Sequence, residues 1–203
     1  MSRSTRTGLR QAIIQASLEI GSEFGEEGLT MRGIASKLGV SATALYQHFE
    51  SKGSILREIR IYGTELLSRE VFDPCANIED PVERLRSMCE HYVAFARARP
   101  WLYCVLMQSE QLDWSMMSPE EIERTLRPLT TFRAWLREGI EKGCWRDGID
   151  PEVTSIRLWA AVHGLCSMII SGRIDERHPA FPVANQTEFV RDFVAGAVNA
   201  LRA

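Results

Sequence analysis

Three times in this chain a side chain able to accept hydrogen bonds stands directly before a proline, with acids close behind: Asp80-Pro81-Val82-Glu83, Ser118-Pro119-Glu120-Glu121 and Asp150-Pro151-Glu152. Proline lacks the amide proton that the first helical position cannot use anyway. The capping oxygen and the acids meet the unpaired N–H groups of the first turn. Each motif is therefore a helix start. Asn185 with Glu188 three residues on makes a fourth, followed by Phe189, Val190, Phe193, Val194, Ala197, Val198 and Leu201 at helical spacing. No stretch of four or more residues alternates cleanly between apolar and polar, and no internal repeat or low-complexity tract occurs. The expected fold is all-α, with about nine helices at ordinary helix and loop lengths.

Composition narrows the function classes. The chain has 203 residues, 45% hydrophobic and 25% charged, enough for one or two compact units. A net charge of -3 argues against indiscriminate coating of nucleic acid or anionic membrane. The charge is uneven: residues 1 to 60 carry eight Lys and Arg against six Asp and Glu, leaving 16 against 21 for the rest. Any basic surface is expected in the N-terminal part. Cys75, Cys89, Cys104, Cys144 and Cys166 are odd in number and widely spaced, which fits neither a disulfide framework nor a zinc site and suits a reducing cytoplasm. The N-terminal apolar run is broken at Gln11, Gln15 and Glu19, unlike a signal peptide. The segment "LWAAVHGLCSMII", 158 to 170, is too short to cross a bilayer and reads as a deeply buried helix. No membrane partner is expected.

The most informative stretch is "TMRGIASKLGVSATALYQHFESK", residues 30 to 52. Thr30 suits a helix N-cap, and Met31, Ile34, Ala35 and Leu38 make one apolar stripe that ends at Gly39. Ser41 suits the next cap, and Leu45 with Phe49 point inward one turn apart. Ala42, Thr43, Tyr46 and Gln47 are left on a slim outward face. Two short helices joined by a three-residue turn beginning with Gly have the geometry that lets the second enter a DNA major groove. Ala42 and Thr43 fall nearest the bases, while the Tyr46 hydroxyl and the Lys52 ammonium suit phosphates. Thr30, Arg32, Ser41 and His48 complete the expected DNA-facing set. Arg3, Arg6 and Arg10 are either a solvated tail or an arm on the phosphates or minor groove.

This stretch, extended to Leu56, resembles the DNA-binding signature of the TetR family of transcriptional regulators. The resemblance covers residues 10 to 57, with Ala35, Gly39, Val40, Leu45, Tyr46, Phe49 and Lys52 in register, and Ile13, Ala16, Ile20 and Phe24 supplying the third side of the small domain. Many members carry Gly or Pro followed by Thr where this chain has Thr43-Ala44, and an acid where it has Gly53, so base preference does not carry over. The rest resembles the family in architecture, and "WAAVHG", 159 to 164, is similar to a Trp-His-Gly segment of one C-terminal subgroup. The resemblance implies a helix-turn-helix DNA-binding domain over 1–57 and a helical ligand-binding and dimerisation domain over 58–203. It also implies a homodimer built on the last two long helices. The all-round apolar helix near 153 to 170 and the stripe through Val194 and Val198 are expected to form that interface, with Ala160, Ala161 and Gly164 allowing close approach.

An aromatic and Met-rich set, Phe95, Trp101, Tyr103, Cys104, Met107, Trp114, Met116, Phe132 and Trp135, is either plain core or in part the lining of an adaptable cavity. With Trp159 and His163 added, Phe95, Trp101, Tyr103, Met107, Trp114, Phe132 and Trp135 are the candidate ligand residues, and an apolar or aromatic small molecule fits them. His163 and Cys166 lack a second pair at ligand spacing, so no metal and no cofactor is assigned. His91 and His178 carry no partner signal. No nucleotide-binding loop, nucleophile elbow or metalloprotease motif is present, which speaks against an enzyme. The expected protein is a cytoplasmic, ligand-responsive TetR-type repressor on a palindromic operator of double-stranded DNA. The alternative is a DNA-bound structural protein without an effector. The helix from Lys52 through Ile55, Ile59, Tyr62 and Leu66 would join reader to sensor.

Overall fold

The computed structural model describes residues 3–107 and 114–203, with the side chains of residues 3–7 and of Met116 outside that description. Among the described residues there are nine α-helices and no strand: α1 Arg3–Gly28, α2 Met31–Leu38, α3 Ala42–Tyr46, α4 Lys52–Leu67, α5 Pro81–Ala98, α6 Pro100–Met107, α7 Pro119–Glu141, α8 Pro151–Ile170 and α9 Gln186–Asn199. The proline motifs do start helices. Ser118 accepts from the Glu121 amide while Glu121 reaches back to the Ser118 amide, a complete capping box, and Asp150 accepts from the Val153 amide. Asn185 caps α9 through the Glu188 amide.

Packing divides the chain into two compact units, residues 1–64 with 99–113, and residues 65–98 with 114–203. This grouping differs from a cut at 57/58, because α6 belongs with the first unit. In that unit α1 packs on α2 and α6, around Ile13, Ile34, Leu45, Ile55, Ile59 and Tyr103, all buried. The Trp101 ring lies where a Cβ on Gly21 would project, so only glycine lets α6 approach α1 this closely. Phe24 departs from expectation: α1 breaks at Gly25 (φ 69°) and the ring is 60% exposed. Ile13, Ala16 and Ile20 keep the expected inward face, and Leu29 beyond the break is buried.

The second unit is organised around α5, which packs on α7, α8 and α9 and buries Leu85, Met88, Cys89, Tyr92, Val93 and Phe95. Following α4, a π-helical turn Ser68–Phe72 and a 3-10 turn Asp73–Cys75 set Val71, Phe72 and Cys75 into the core. The stripe of α9 splits in two. Val190, Val194 and Val198 are buried within the unit, where α9 meets α5, whereas Phe189 and Phe193 lie on the more open side. The interface role expected of Val194 and Val198 is therefore corrected: spacing of four residues gave them one face, and that face is the subunit's own core. The segment 158–170 belongs to a longer helix of 20 residues, long and apolar enough by composition to cross a membrane, yet packed here with a third of that stretch buried. Thr154, Leu158, Val162, Leu165 and Cys166 form its covered side, while Val153, Ile156 and Trp159 stay exposed. The expectation of a helix deeply buried along its length is thus met on one side only.

A buried arginine ties this unit together. Arg84 on α5 donates through Nε to the Ile78 carbonyl (2.7 Å), pairs through both terminal nitrogens with Glu138 on α7, and lies over the Trp135 ring. Its hydrogen bond, followed by that from Lys142, holds the Glu138 carboxyl down to about 2 from its ordinary 4.5. The folded value lies below the unfolded one, so the contribution to stability is complete above pH 4.5 and is lost as pH falls through about 2. Melting followed by circular dichroism should show a steeper loss across that window than in Glu138→Gln. Equal acid sensitivity of the two proteins would contradict this.

Candidate nucleic-acid interface

Two caps and one turn set the geometry of the N-terminal site. Thr30 accepts from the Gly33 amide at 3.0 Å and starts α2, and Ser41 accepts from the Ala44 amide at 3.2 Å and starts α3. Between them Gly39 takes the left-handed conformation (φ 66°), and the Gly39 and Val40 amides close back on Ser36 and Ala35 at 3.2 and 3.0 Å. A side chain with a Cβ rarely adopts that φ, so glycine fixes the sharp reversal.

Burial then decides which way α3 faces. Leu45 and Phe49 are buried, and 3.6 residues per turn leaves Ala42, Thr43, Tyr46 and Gln47 outward. All four are exposed, Tyr46 at 55%. Ser41, Thr30 and Arg32 are exposed beside them, and His48 is half-buried. The nine residues expected to face DNA thus lie in one contiguous segment spanning α2, α3 and the first residue of α4. Lys52 is the most constrained: its ammonium donates to the Glu26 carbonyl at 2.6 Å and lies 3.6 Å from the Glu26 carboxylate. With three protons on Nζ, it keeps capacity for a further acceptor.

Arg10 is expected either in a solvated tail or in an arm on the phosphates or minor groove. It instead belongs to this unit's framework, bonded to the His48 carbonyl and Glu58 and lying over the Phe49 ring. Separations of 38 and 48 residues hid those pairings. The side chains of Arg3 and Arg6 lie outside the described residues.

The nine candidate ligand residues fall into both units. Trp101, Tyr103 and Met107 belong to the first, where Trp101 fills the space over Gly21 and Tyr103 is fully buried. The second holds the other six. Phe95 and Phe132 are buried, Trp135 is tilted against Phe72 with ring centroids 5.7 Å apart, and Trp114 is exposed. Trp159, 41% exposed, donates through its indole N–H to the Tyr92 hydroxyl at 3.1 Å and stacks on His163 at 5.2 Å. Burial pushes the His163 imidazole below its ordinary range, which favours the neutral ring.

A groove of about 420 Å³ runs along the second unit between α8 and α9. Ala160, Gly164, Met168, Phe181, Phe189 and Phe193 are among its lining residues. The signal for it was present in the sequence as the small residues Ala160, Ala161 and Gly164. Phe181, on the α8–α9 connection, carried no such signal.

Comparison with known proteins accounts for both parts of the chain. Residues 13–59 match the bacterial regulatory proteins of the tetR family, and residues 85–193 match the tetracyclin repressor-like C-terminal domain. The nucleoid occlusion factor SlmA of Marinobacter nauticus is 29% identical over 153 residues, covering 73% of this chain and 74% of that protein. The tetracycline repressor protein class C of Escherichia coli is 47% identical over 47 residues, 23% of this chain and 22% of its own. A solved protein with unknown function from Rhodococcus sp. RHA1 shares the fold, with a TM-score of 0.81 at 19% identity over 96% of both chains. With its helix-turn-helix segment and more than half of its length matched in this way, the chain belongs to the TetR family of transcriptional regulators.

Proposed function

We propose that this protein is a cytoplasmic homodimeric repressor that reads a palindromic operator through α3 and leaves it when an apolar or aromatic small molecule binds the C-terminal part. The observation that carries the reading is the bare face of α3, where Ala42, Thr43, Tyr46 and Gln47 are exposed above buried Leu45 and Phe49. In this reading residues 1–57 bind DNA and 58–203 sense and dimerise. The uncovered side of α8, with the groove lined by Gly164, Phe189 and Phe193, supports pairing with a second copy. Two copies of α3 then meet successive major grooves about 34–36 Å apart. Trp159, His163 and Trp135, partly open to solvent, are the candidate side chains best able to meet a ligand in the second unit, whereas Phe95 and Phe132 are buried. Through α4, a ligand preferring a different spacing of the two reading heads shifts the population off DNA, by no more than its differential affinity.

Selection from a randomised duplex pool tests the reading. The expected product is a palindrome, and failure to enrich any duplex would refute DNA reading. Lys52→Ala should weaken binding to that duplex and to unrelated duplexes equally and lower the salt slope by about one, while Thr43→Val should change preference among half-sites. An unchanged salt slope in Lys52→Ala would remove Lys52 from the phosphate set.

A second reading has support of its own. Likeness over 73% of the chain to a protein named a nucleoid occlusion factor supports the alternative of a DNA-bound structural protein, in which occupancy would not depend on an effector. The two readings part in one titration. A compound that releases the duplex must also raise the melting temperature of the free protein, and DNA must reciprocally weaken its binding. A panel of apolar, aromatic and anionic metabolites that neither binds nor releases DNA supports the second reading.

A further inference from the structure

The recognition helix is too short to orient itself. α3 has five residues and buries one side chain, Leu45, and a helix of little more than one turn has almost no cooperativity of its own. The angle at which Thr43 and Tyr46 are presented is therefore set by Leu45, by packing on α2 and by what grips its two ends. At the N-terminal end the grip is the Ser41 cap and the turn at Gly39. At the C-terminal end it is Phe49 and a single guanidinium. Arg10 Nη1 donates to the His48 carbonyl at 3.1 Å, Nη2 donates to Glu58 Oε1 at 2.6 Å, and the same group lies 4.4 Å from the centroid of the Phe49 ring.

We infer that Arg10 is a positioning residue that fixes the exit of the recognition helix to α4 and thereby sets sequence discrimination, without itself touching DNA. The inference rests on the DNA-reading assignment above. Its chemistry is specific to arginine. One rigid plane carries donors in fixed directions and stacks on an aromatic face, whereas an ammonium offers a point charge on a flexible stem. The His48 carbonyl lies past the end of α3 and outside the helix's own ladder, so a donor there is free to lock it. Glu58 lies on α4, so a shift of α4 reaches the His48 carbonyl through one planar group. Half-exposed ion pairs contribute little to stability, and Arg10 and Glu58 side chains are 43% and 35% exposed. The tie therefore acts on geometry, and base-edge bonds are sensitive to displacements of about 0.5 Å.

The test uses Arg10→Lys, Arg10→Met and Glu58→Gln in the full chain. The probes are the duplex that wild type selects from a randomised pool and poly(dI-dC) as non-specific DNA. All measurements are made well below the melting temperature of each variant. Affinity for the selected duplex should fall about tenfold in each variant, the size of one lost base discrimination. Affinity for poly(dI-dC) and the salt slope should stay at wild-type values. The double variant Arg10→Met/Glu58→Gln should be no worse than Arg10→Met, since Arg10→Met already removes the contact that Glu58→Gln alters. A salt slope lower by about one, with specific and non-specific affinity falling together, would make Arg10 a phosphate contact and overturn the inference. So would a lowered melting temperature with both affinities unchanged. If wild type itself selects no duplex, the DNA-reading assignment fails first and visibly in the unmutated protein.

Discussion

Phe193→Glu combined with Ala160→Glu is expected to give a folded monomer whose operator affinity is lower by about 10²–10⁴-fold, the loss of joining two weak half-sites. Both positions line the open groove between α8 and α9, so in a single subunit the new carboxylates meet water. Against a second copy they would face each other across an apolar surface, and an isologous interface doubles every such insult. Val194→Glu, one residue further along α9, should behave differently. Val194 is fully buried, and placing a carboxylate there costs several kcal/mol and unfolds the second unit instead of separating it from a partner. Sedimentation and far-ultraviolet dichroism distinguish the outcomes. A dimer that survives both groove substitutions would place the interface elsewhere. A Val194→Glu protein that is a helical monomer would mean that α9 is turned the other way.

The second large effect is expected at Glu138. Glu138→Ala leaves the Arg84 guanidinium, whose side chain is 7% exposed, with the Ile78 carbonyl and the face of Trp135 but no counter-charge. Removing one partner of a buried pair costs about 3–5 kcal/mol. Glu138 is itself about one third exposed, so water replaces part of what is lost and about 2–3 kcal/mol is the expected cost. For a chain of this size that lowers Tm by roughly 5–10 °C. Arg84→Met with Glu138→Leu should recover most of the loss, because no stranded charge remains. Calorimetry on the three proteins decides it. Equal melting of wild type and Glu138→Ala would show that the pair is a solvated contact.

The parts of this fold that were legible in the sequence are those governed by local rules. Capping oxygens before prolines, a glycine in a left-handed turn and apolar residues at helical spacing act over three to eight residues. Asp150, Ser118, Asn185, Thr30 and Ser41 accordingly cap helices as read. The outward face of α3 was equally readable, because Leu45 and Phe49 leave only one other side. What escaped depends on which neighbour a face meets. Spacing cannot say whether Val194 or Phe193 turns to α5, since both fit one broad stripe. It cannot pair Arg10 with Glu58 across 48 residues, nor Arg84 with Glu138 across 54. Phe24 continues the spacing of Ile13, Ala16 and Ile20, yet it lies exposed at the residue before the break at Gly25. The aromatic set was counted as one group because its members are close in sequence, yet packing assigns them to two units.

The missing side chain at Gly21 has an implication for how this protein can be recombined with others. The indole that occupies its place comes from Trp101, some eighty positions further along. Joining the first 64 residues to the sensor of another family member would transplant a head with an open notch, unless residues 99–107 travelled with it. Exchange of this protein's sensor would therefore have to leave α6 with the reader, although α6 lies between sensor helices in the sequence. Chimeras with and without that helix, compared by melting and by affinity for the selected duplex, would show whether the head is a portable cassette or an assembly of two distant stretches.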